Sequence, residues 1–155
     1  MALVERLTPT TVDRPWGTEQ TIVRTADYSG KILRYKAGHG GGLQYHVLKD
    51  ETWHVLSGRC YLICDRGDGV LERLVMKPGD TYRFPPFSVH QVIARSNCVG
   101  IEFSTPHEDD RVRVEKQWGV PGLRIHRWAV PVVEGAGPTT WDVDATGYHT
   151  RRAVE

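Results

Sequence analysis

Gly38-His39-Gly40-Gly41-Gly42-Leu43-Gln44-Tyr45-His46-Val47-Leu48-Lys49-Asp50-Glu51, closed six residues later by Ser57-Gly58, is the stretch on which the reading of the fold turns. Gln44 and His46 stand two apart, so on one extended strand their side chains leave the same face. Glu51 follows a short turn, at the start of the next strand, and its side chain converges on that face. A second stretch, Pro78-Gly79-Asp80 and then Phe84-Pro85-Pro86-Phe87-Ser88-Val89-His90, makes a turn that delivers His90 into another strand. Two imidazole nitrogens, one carboxylate oxygen and one amide oxygen form a borderline donor set. It suits a divalent metal, zinc first and then iron, manganese, cobalt or nickel, with positions left for water or substrate.

Working outward, 16 glycines and 9 prolines punctuate the chain. Between them run short stretches rich in β-branched and aromatic residues: Lys31 to Lys36, Trp53 to Leu56, Cys60 to Cys64, Leu71 to Met76, His90 to Ala94 and Val99 to Phe103. Strands of that length at that spacing predict an all-β sandwich or barrel. No segment before residue 106 sustains the apolar spacing of a helix. The acidic run Pro106-His107-Glu108-Asp109-Asp110 suits the opening of a short helical turn. Further on, Leu123 to Val133 alternates as one more strand, Gly135 to Pro138 reads as a break, and residues 139–155 show no clear period.

The chain has 155 residues, one well-packed domain's worth, with 20 Lys and Arg against 19 Asp and Glu. That balance lacks the basic footprint of a nucleic-acid binder. Apolar runs stay far short of the roughly 20 residues that span a bilayer. The opening residues carry acids and no apolar h-region, so no secretory signal is expected. Three cysteines, an odd number, suit a reducing compartment better than a disulfide framework, and a cytoplasmic location is the expectation.

With those residues in view, the pattern Gly-x5-His-x-His-x4-Glu-x6-Gly followed by Gly-x5-Pro-x-Gly-x2-His resembles the two-part signature of the cupin superfamily. Gly38, Gln44, His46, Glu51 and Gly58, then Gly79, Pro85 and His90, fall on it, with Gln44 for the first His and Phe87 for the second-motif Gly. The chain is most similar to the isomerase domain of the type II mannose-6-phosphate isomerases, which use a Gln, His, Glu, His metal set. Arg14-Pro15-Trp16-Gly17, Lys36-Ala37-Gly38, Leu43 to His46, Trp53 to Gly58 and Glu108 to Arg113 resemble that group's motifs in order. The likeness covers about residues 14–119. It departs where the type II pattern has a second His and an Arg, here Leu48 and Lys49.

The resemblance implies a double-stranded β-helix barrel over residues 1–119 with a C-terminal extension over 120–155. It further implies a homodimer, a metal held by Gln44, His46, Glu51 and His90, and a small-molecule substrate, a carbohydrate. Lys36 and Arg113 fall on family-matched positions and are the expected substrate-binding cations. Aldose–ketose isomerisation of a sugar or sugar phosphate is the leading expectation. An iron-dependent dioxygenase of a small organic substrate and a non-catalytic metabolite-binding cupin are the alternatives. Lys49 is the only candidate base, and an exposed lysine without a role is its ordinary reading. His54 is read as pointing away from the metal face and His39 as an exposed loop residue. Cys60 and Cys64, about 13 Å apart along a strand, are read as buried small hydrophobes.

Overall fold

The computed structural model describes residues 3–65, 71–113, 139–143 and 149–153. Eleven strands form the body: β1 (Thr10–Arg14), β2 (Gly17–Arg24), β3 (Ser29–Tyr35), β4 (Gln44–His46), β5 (Glu51–Ser57), β6 (Cys60–Asp65), β7 (Leu71–Met76), β8 (Thr81–Phe84), β9 (His90–Ala94), β10 (Cys98–Ser104) and β11 (Arg111–Arg113). They make two antiparallel sheets, a six-stranded one in the order β1-β2-β3-β10-β5-β8 and a five-stranded one in the order β11-β4-β9-β6-β7. Two further strands, β12 (Thr139–Val143) and β13 (His149–Ala153), form a separate two-stranded sheet among the described residues. The expectation of an all-β jelly-roll barrel is met.

Alternation decides which faces meet. In β3, β5 and β10 buried residues recur at every second position, so Leu33 and Tyr35, Trp53 and Val55, and Cys98 point inward. These pack against Leu62, Met76 and Val92 of the facing sheet, with Val55, Leu62 and Met76 wholly shielded. Each such side chain contributes roughly 1.5–3 kcal/mol relative to exposure. At the other end of the same inward rows the residues change character: Lys31, Glu51 and Glu102 replace the aliphatics. One end of the sandwich is therefore an apolar core and the other a polar cavity.

Two glycines admit close approaches on which this arrangement depends. A Cβ on Gly100 would sit 2.4 Å from Trp53 Cζ2, so the indole passes beneath β10 only because that position is glycine. A Cβ on Gly40 would meet the Ile93 side chain and the Val92 carbonyl at 2.7 Å. Gly40 bridges to Ile93, and the Gly38 and Gly41 amides donate to Ala94 and Val92 carbonyls. The triple-glycine connection thus lies along β9 rather than swinging free.

Three sequence expectations need correction. Residues 106–110 form no helical turn; Asp109-Asp110 is a plain turn leading into β11, and Asp110 is drawn inward by the partners described below. Residues 139–153, read as lacking a period, contain the β12–β13 pair. Cys60 and Cys98 are joined in a disulfide, Cα–Cα 6.7 Å, that ties β6 of one sheet to β10 of the other, while Cys64 is a buried cysteine outside that bridge. Spacing along one strand cannot reveal a bridge between sheets. The expected strand at Leu123–Val133 and the 119/120 boundary lie outside the described residues.

Candidate metal centre and charged cavity

β4, β5 and β9 bring His46, Glu51 and His90 together at the polar end, with the three side chains buried and one ligand atom from each within 4.8 Å of the others. The short β4 carries Gln44 and His46 on the side facing the cavity, and Gln44 pairs in register with His90. Phe84, opposite Glu51 in the β5–β8 ladder, stacks on the His90 ring at 4.2 Å between centroids. Trp53 shares Glu51's face and lines the same cavity, as alternation predicts.

Each histidine is oriented from behind. His46 Nδ1 lies 2.8 Å from Asp110 Oδ1, and His90 Nδ1 donates to the Ser88 carbonyl at 2.9 Å. An imidazole whose Nδ1 proton is so engaged presents Nε2 as a lone pair, the arrangement that prepares histidine for a metal. His46 Nε2 is buried and has no hydrogen-bond partner, an orphaned acceptor that a cation would satisfy. His90 Nε2 stands 2.6 Å from Glu51 Oε1, a separation that requires a proton, or another cation, between nitrogen and carboxylate. Donor types, tautomers and the orphaned nitrogen all fit a divalent metal.

The electrostatics favour the same state. Burial holds His46 below its ordinary pKa of 6.5, so the ring stays neutral and available as a ligand. Burial alone would raise the Glu51 carboxyl, but His90 and Lys49 outweigh it and hold it well below its ordinary range. Burial opposes the Lys49 charge as well, yet Glu102 and Glu51 keep the ammonium well above the ordinary lysine range. Glu102 is raised, chiefly by its own burial.

Lys49 is therefore not the exposed lysine expected. It is buried, with Nζ 2.6 Å from both Glu51 Oε2 and Glu102 Oε1, and these contacts compensate its charge at that depth. Its contact takes one Glu51 oxygen and leaves Oε1 toward the histidines. Arg113 lines the cavity, whereas Lys36 is exposed and outside its lining. His54 is on the outer face, bonded to Thr81 Oγ1 at 2.7 Å, and His39 is an exposed loop residue. Phe87, standing where the signature has glycine, keeps a positive φ of 67° and donates its amide to the His46 carbonyl at 2.7 Å.

Sequence reasoning missed Asp110, Glu102, Lys31 and Glu19. Lys31 lies between Glu19 Oε1 at 3.0 Å and Glu108 Oε1 at 2.8 Å, a second buried ammonium between two carboxylates. The available signal was alternation: Lys31 and Glu102 fall on the inward rows of β3 and β10, where an apolar residue is the norm. The whole polar end encloses a cavity of about 260 Å³.

Comparison with known proteins agrees with this geometry. A family profile described as Cupin domain matches residues 31–102, which include the triad. No curated protein matches the sequence. Among solved structures, KdgF from Halomonas sp. superposes with a TM-score of 0.58 at 20% identity, over 65% of this chain and 91% of that one. An RmlC-like cupin from Shewanella frigidimarina NCIMB 400 gives 0.57 at 19%, over 66% and 87%. Oxalate decarboxylase from Bacillus subtilis gives 0.59 at 14%, over 68% of this chain and 30% of that one. At these identities the likeness is one of fold. No helix among the described residues is long and apolar enough to cross a membrane. Residues 31–102 match the Cupin domain profile and carry a possible His-Glu-His metal site, and the all-β jelly-roll fold is like that of these structural neighbours.

Proposed function

We propose that this protein is a metal-dependent cupin enzyme acting on a small hydroxyl-rich substrate, with aldose–ketose isomerisation of a sugar or sugar phosphate as its reaction. The observation that carries the reading is the orphaned His46 Nε2 beside Glu51 and His90, at the floor of a cavity of single-ligand size. His46, Glu51 and His90 would hold the metal, with Gln44 beside them as a neutral oxygen donor; zinc is favoured. When bound, the metal supplies Lewis acidity to neighbouring carbonyl and hydroxyl oxygens.

The chain's own groups account for the rest. Lys49 holds Glu51 in place and keeps positive charge near the reacting oxygens, where negative charge develops as a proton leaves carbon. As an ammonium it does not serve as the base. Glu102, whose carboxyl is held above its ordinary range chiefly by burial and which borders the cavity, is the group suited to take and return that proton. Trp53 and Phe84 wall the site and limit water beside it. The outer face of the six-stranded sheet, with Ile32 opposite Ile101 and the exposed Phe103 two residues further along β10, suits pairing of two copies, and a homodimer belongs to this proposal.

Incubation with zinc, cobalt or manganese and a panel of aldoses in D2O tests it. Formation of the ketose, seen by NMR with or without deuterium at its C1, supports isomerisation; no ketose from any aldose with any metal refutes it. A second reading rests on the triad itself, because two histidines and one carboxylate also form the facial set of non-haem iron oxygenases. Oxygen uptake by the iron-loaded protein with a small organic acid, without sugar exchange, would favour that reading.

A further inference from the structure

We infer that the molecule carries a second ligand site behind Phe84, for a compact apolar molecule, and that its occupant tightens the histidine end. The inference goes beyond the proposed reaction and does not depend on which substrate the polar cavity takes. β8 ends the six-stranded sheet and β7 ends the five-stranded one, so neither edge is closed by a further strand among the described residues. Between these edges the sandwich leaves a second cavity of about 220 Å³. Its deep wall is made of Leu62 and Cys64 of β6, Leu74 of β7, Tyr82 and Phe84 of β8, and Val89. Leu62 stands opposite Leu74, and Tyr82 opposite Trp53, so alternation carries the inward rows of both sheets into this gap.

The lining decides the ligand class. Among the described residues the deep wall carries no charged side chain. Arg83 borders the cavity, but Asp50 engages its guanidinium through two hydrogen bonds, and Asp65 has interactions of its own. Interiors pack close to crystal density, and a gap in an apolar core forfeits contacts on every side. An apolar cavity of about 150 Å³ already takes benzene, so this one admits a single ring or a branched alkyl group of similar bulk.

Its position couples it to the triad. Phe84 borders both cavities, and its ring stacks on His90 with centroids 4.2 Å apart. Ser88 borders the second cavity too, and its carbonyl takes the His90 Nδ1 hydrogen bond at 2.9 Å. Between them Phe87 holds a φ of 67°, a left-handed conformation that a bulky side chain rarely keeps, while its amide reaches the His46 carbonyl. An occupant of the second cavity therefore bears on both contacts that orient His90. Any such coupling is reciprocal, so it is readable from either site.

Fluorine NMR of the EDTA-treated full chain titrated with fluorobenzene tests the site, and zinc titration with and without saturating fluorobenzene tests the coupling. Wild type should bind the probe. Leu74→Trp, which fills the gap from an edge strand, should abolish that binding while thermal unfolding shows a folded protein; if it does not fold, Leu74→Phe gives the same reading. With the probe bound, zinc should bind about fivefold or more tighter, and Phe84→Leu should keep the probe but lose that gain. In metal-free protein the probe should slow modification of His90 by diethyl pyrocarbonate, read by peptide mass. No binding of fluorobenzene by wild type, or binding undiminished in the filled variant, overturns the inference. So does binding that changes neither zinc affinity nor His90 reactivity. Zinc failing to bind while the probe still slows His90 modification would remove the metal reading and leave this one standing.

Discussion

His46 Nδ1 and Asp110 Oδ1 meet at 2.8 Å across 64 residues of sequence, and the same carboxylate accepts the backbone amides of Leu48 and Lys49. One aspartate thereby fixes both the imidazole and the turn between β4 and β5 that positions Glu51. Burial would raise the Asp110 carboxyl, but those amides and the ring hold it below its ordinary range, so it stays an acceptor. Asp110→Asn should weaken zinc binding by about 10–100-fold, the usual cost of removing a group behind a ligating histidine. Competition titration with a chelating dye measures it, and unchanged affinity would show that His46 needs no support.

Acid should destabilise the metal-free protein over a defined window. Glu51, Glu19 and Asp110 have folded pKa values below their ordinary 4.5, 4.5 and 3.8, so their contributions are full above those values. They are lost as pH falls through the folded values. His46, also depressed, begins to oppose folding below its ordinary 6.5. Glu102, raised, runs the other way, contributing below 4.5 and losing that contribution as pH rises through its folded value. With three lowered carboxylates and His46 acting in one direction and Glu102 alone in the other, the thermal midpoint of EDTA-treated protein should fall below pH about 6.5 and most steeply below about 4.5. A midpoint that rises between pH 6 and 4 would contradict this.

Lys49→Met removes the cation between Glu51 and Glu102 and leaves two buried carboxylates facing each other. Breaking a buried pair in this way typically costs about 3–5 kcal/mol. Denaturant unfolding should show that loss, and Lys49→Arg should recover part of it. A change under about 1 kcal/mol, the range of surface ion pairs, would mean the contacts contribute as little as exposed ones.

Much of this site was legible before the structure. That Gln44, His46, Glu51 and His90 line one cavity follows from spacing, because side chains two apart on a strand share a face and turns rich in Gly and Pro set where the next strand starts. Trp53 and His54 were separable by the same parity. Asp110, Glu102 and Lys31 were not, since each acquires its role from the pairing of strands distant in sequence: Glu102 stands opposite Lys31 in one ladder and Trp53 in the other. Register between strands so far apart in the chain is a property of the assembled sheets. The Cys60–Cys98 bridge escaped for that reason too, and Lys49 was misjudged because its burial depends on a carboxylate from β10.

Leu48 and Lys49 stand where the resembled isomerases have a His and an Arg. Leu48 is 58% exposed and offers no donor, and Lys49 is turned inward to its two carboxylates. Loss of one oriented donor typically costs about 10²–10³ in rate. Interconversion of mannose 6-phosphate and fructose 6-phosphate should therefore be slow at best, even with metal supplied. A coupled assay showing turnover in the ordinary range of about 1–10³ s⁻¹ would show those donors to be dispensable.

The central claim is that His46, Glu51 and His90 hold a divalent metal, and elemental analysis of purified protein beside His46→Ala and His90→Ala addresses it most directly. After incubation with zinc and removal of the excess, wild type should retain one ion per chain. Either variant should retain essentially none and should lose the thermal stabilisation that zinc gives, since a ligand binding only the folded state stabilises it. Gln44→Ala should retain most of its zinc. No zinc in wild type, or undiminished zinc in His46→Ala, would contradict the assignment.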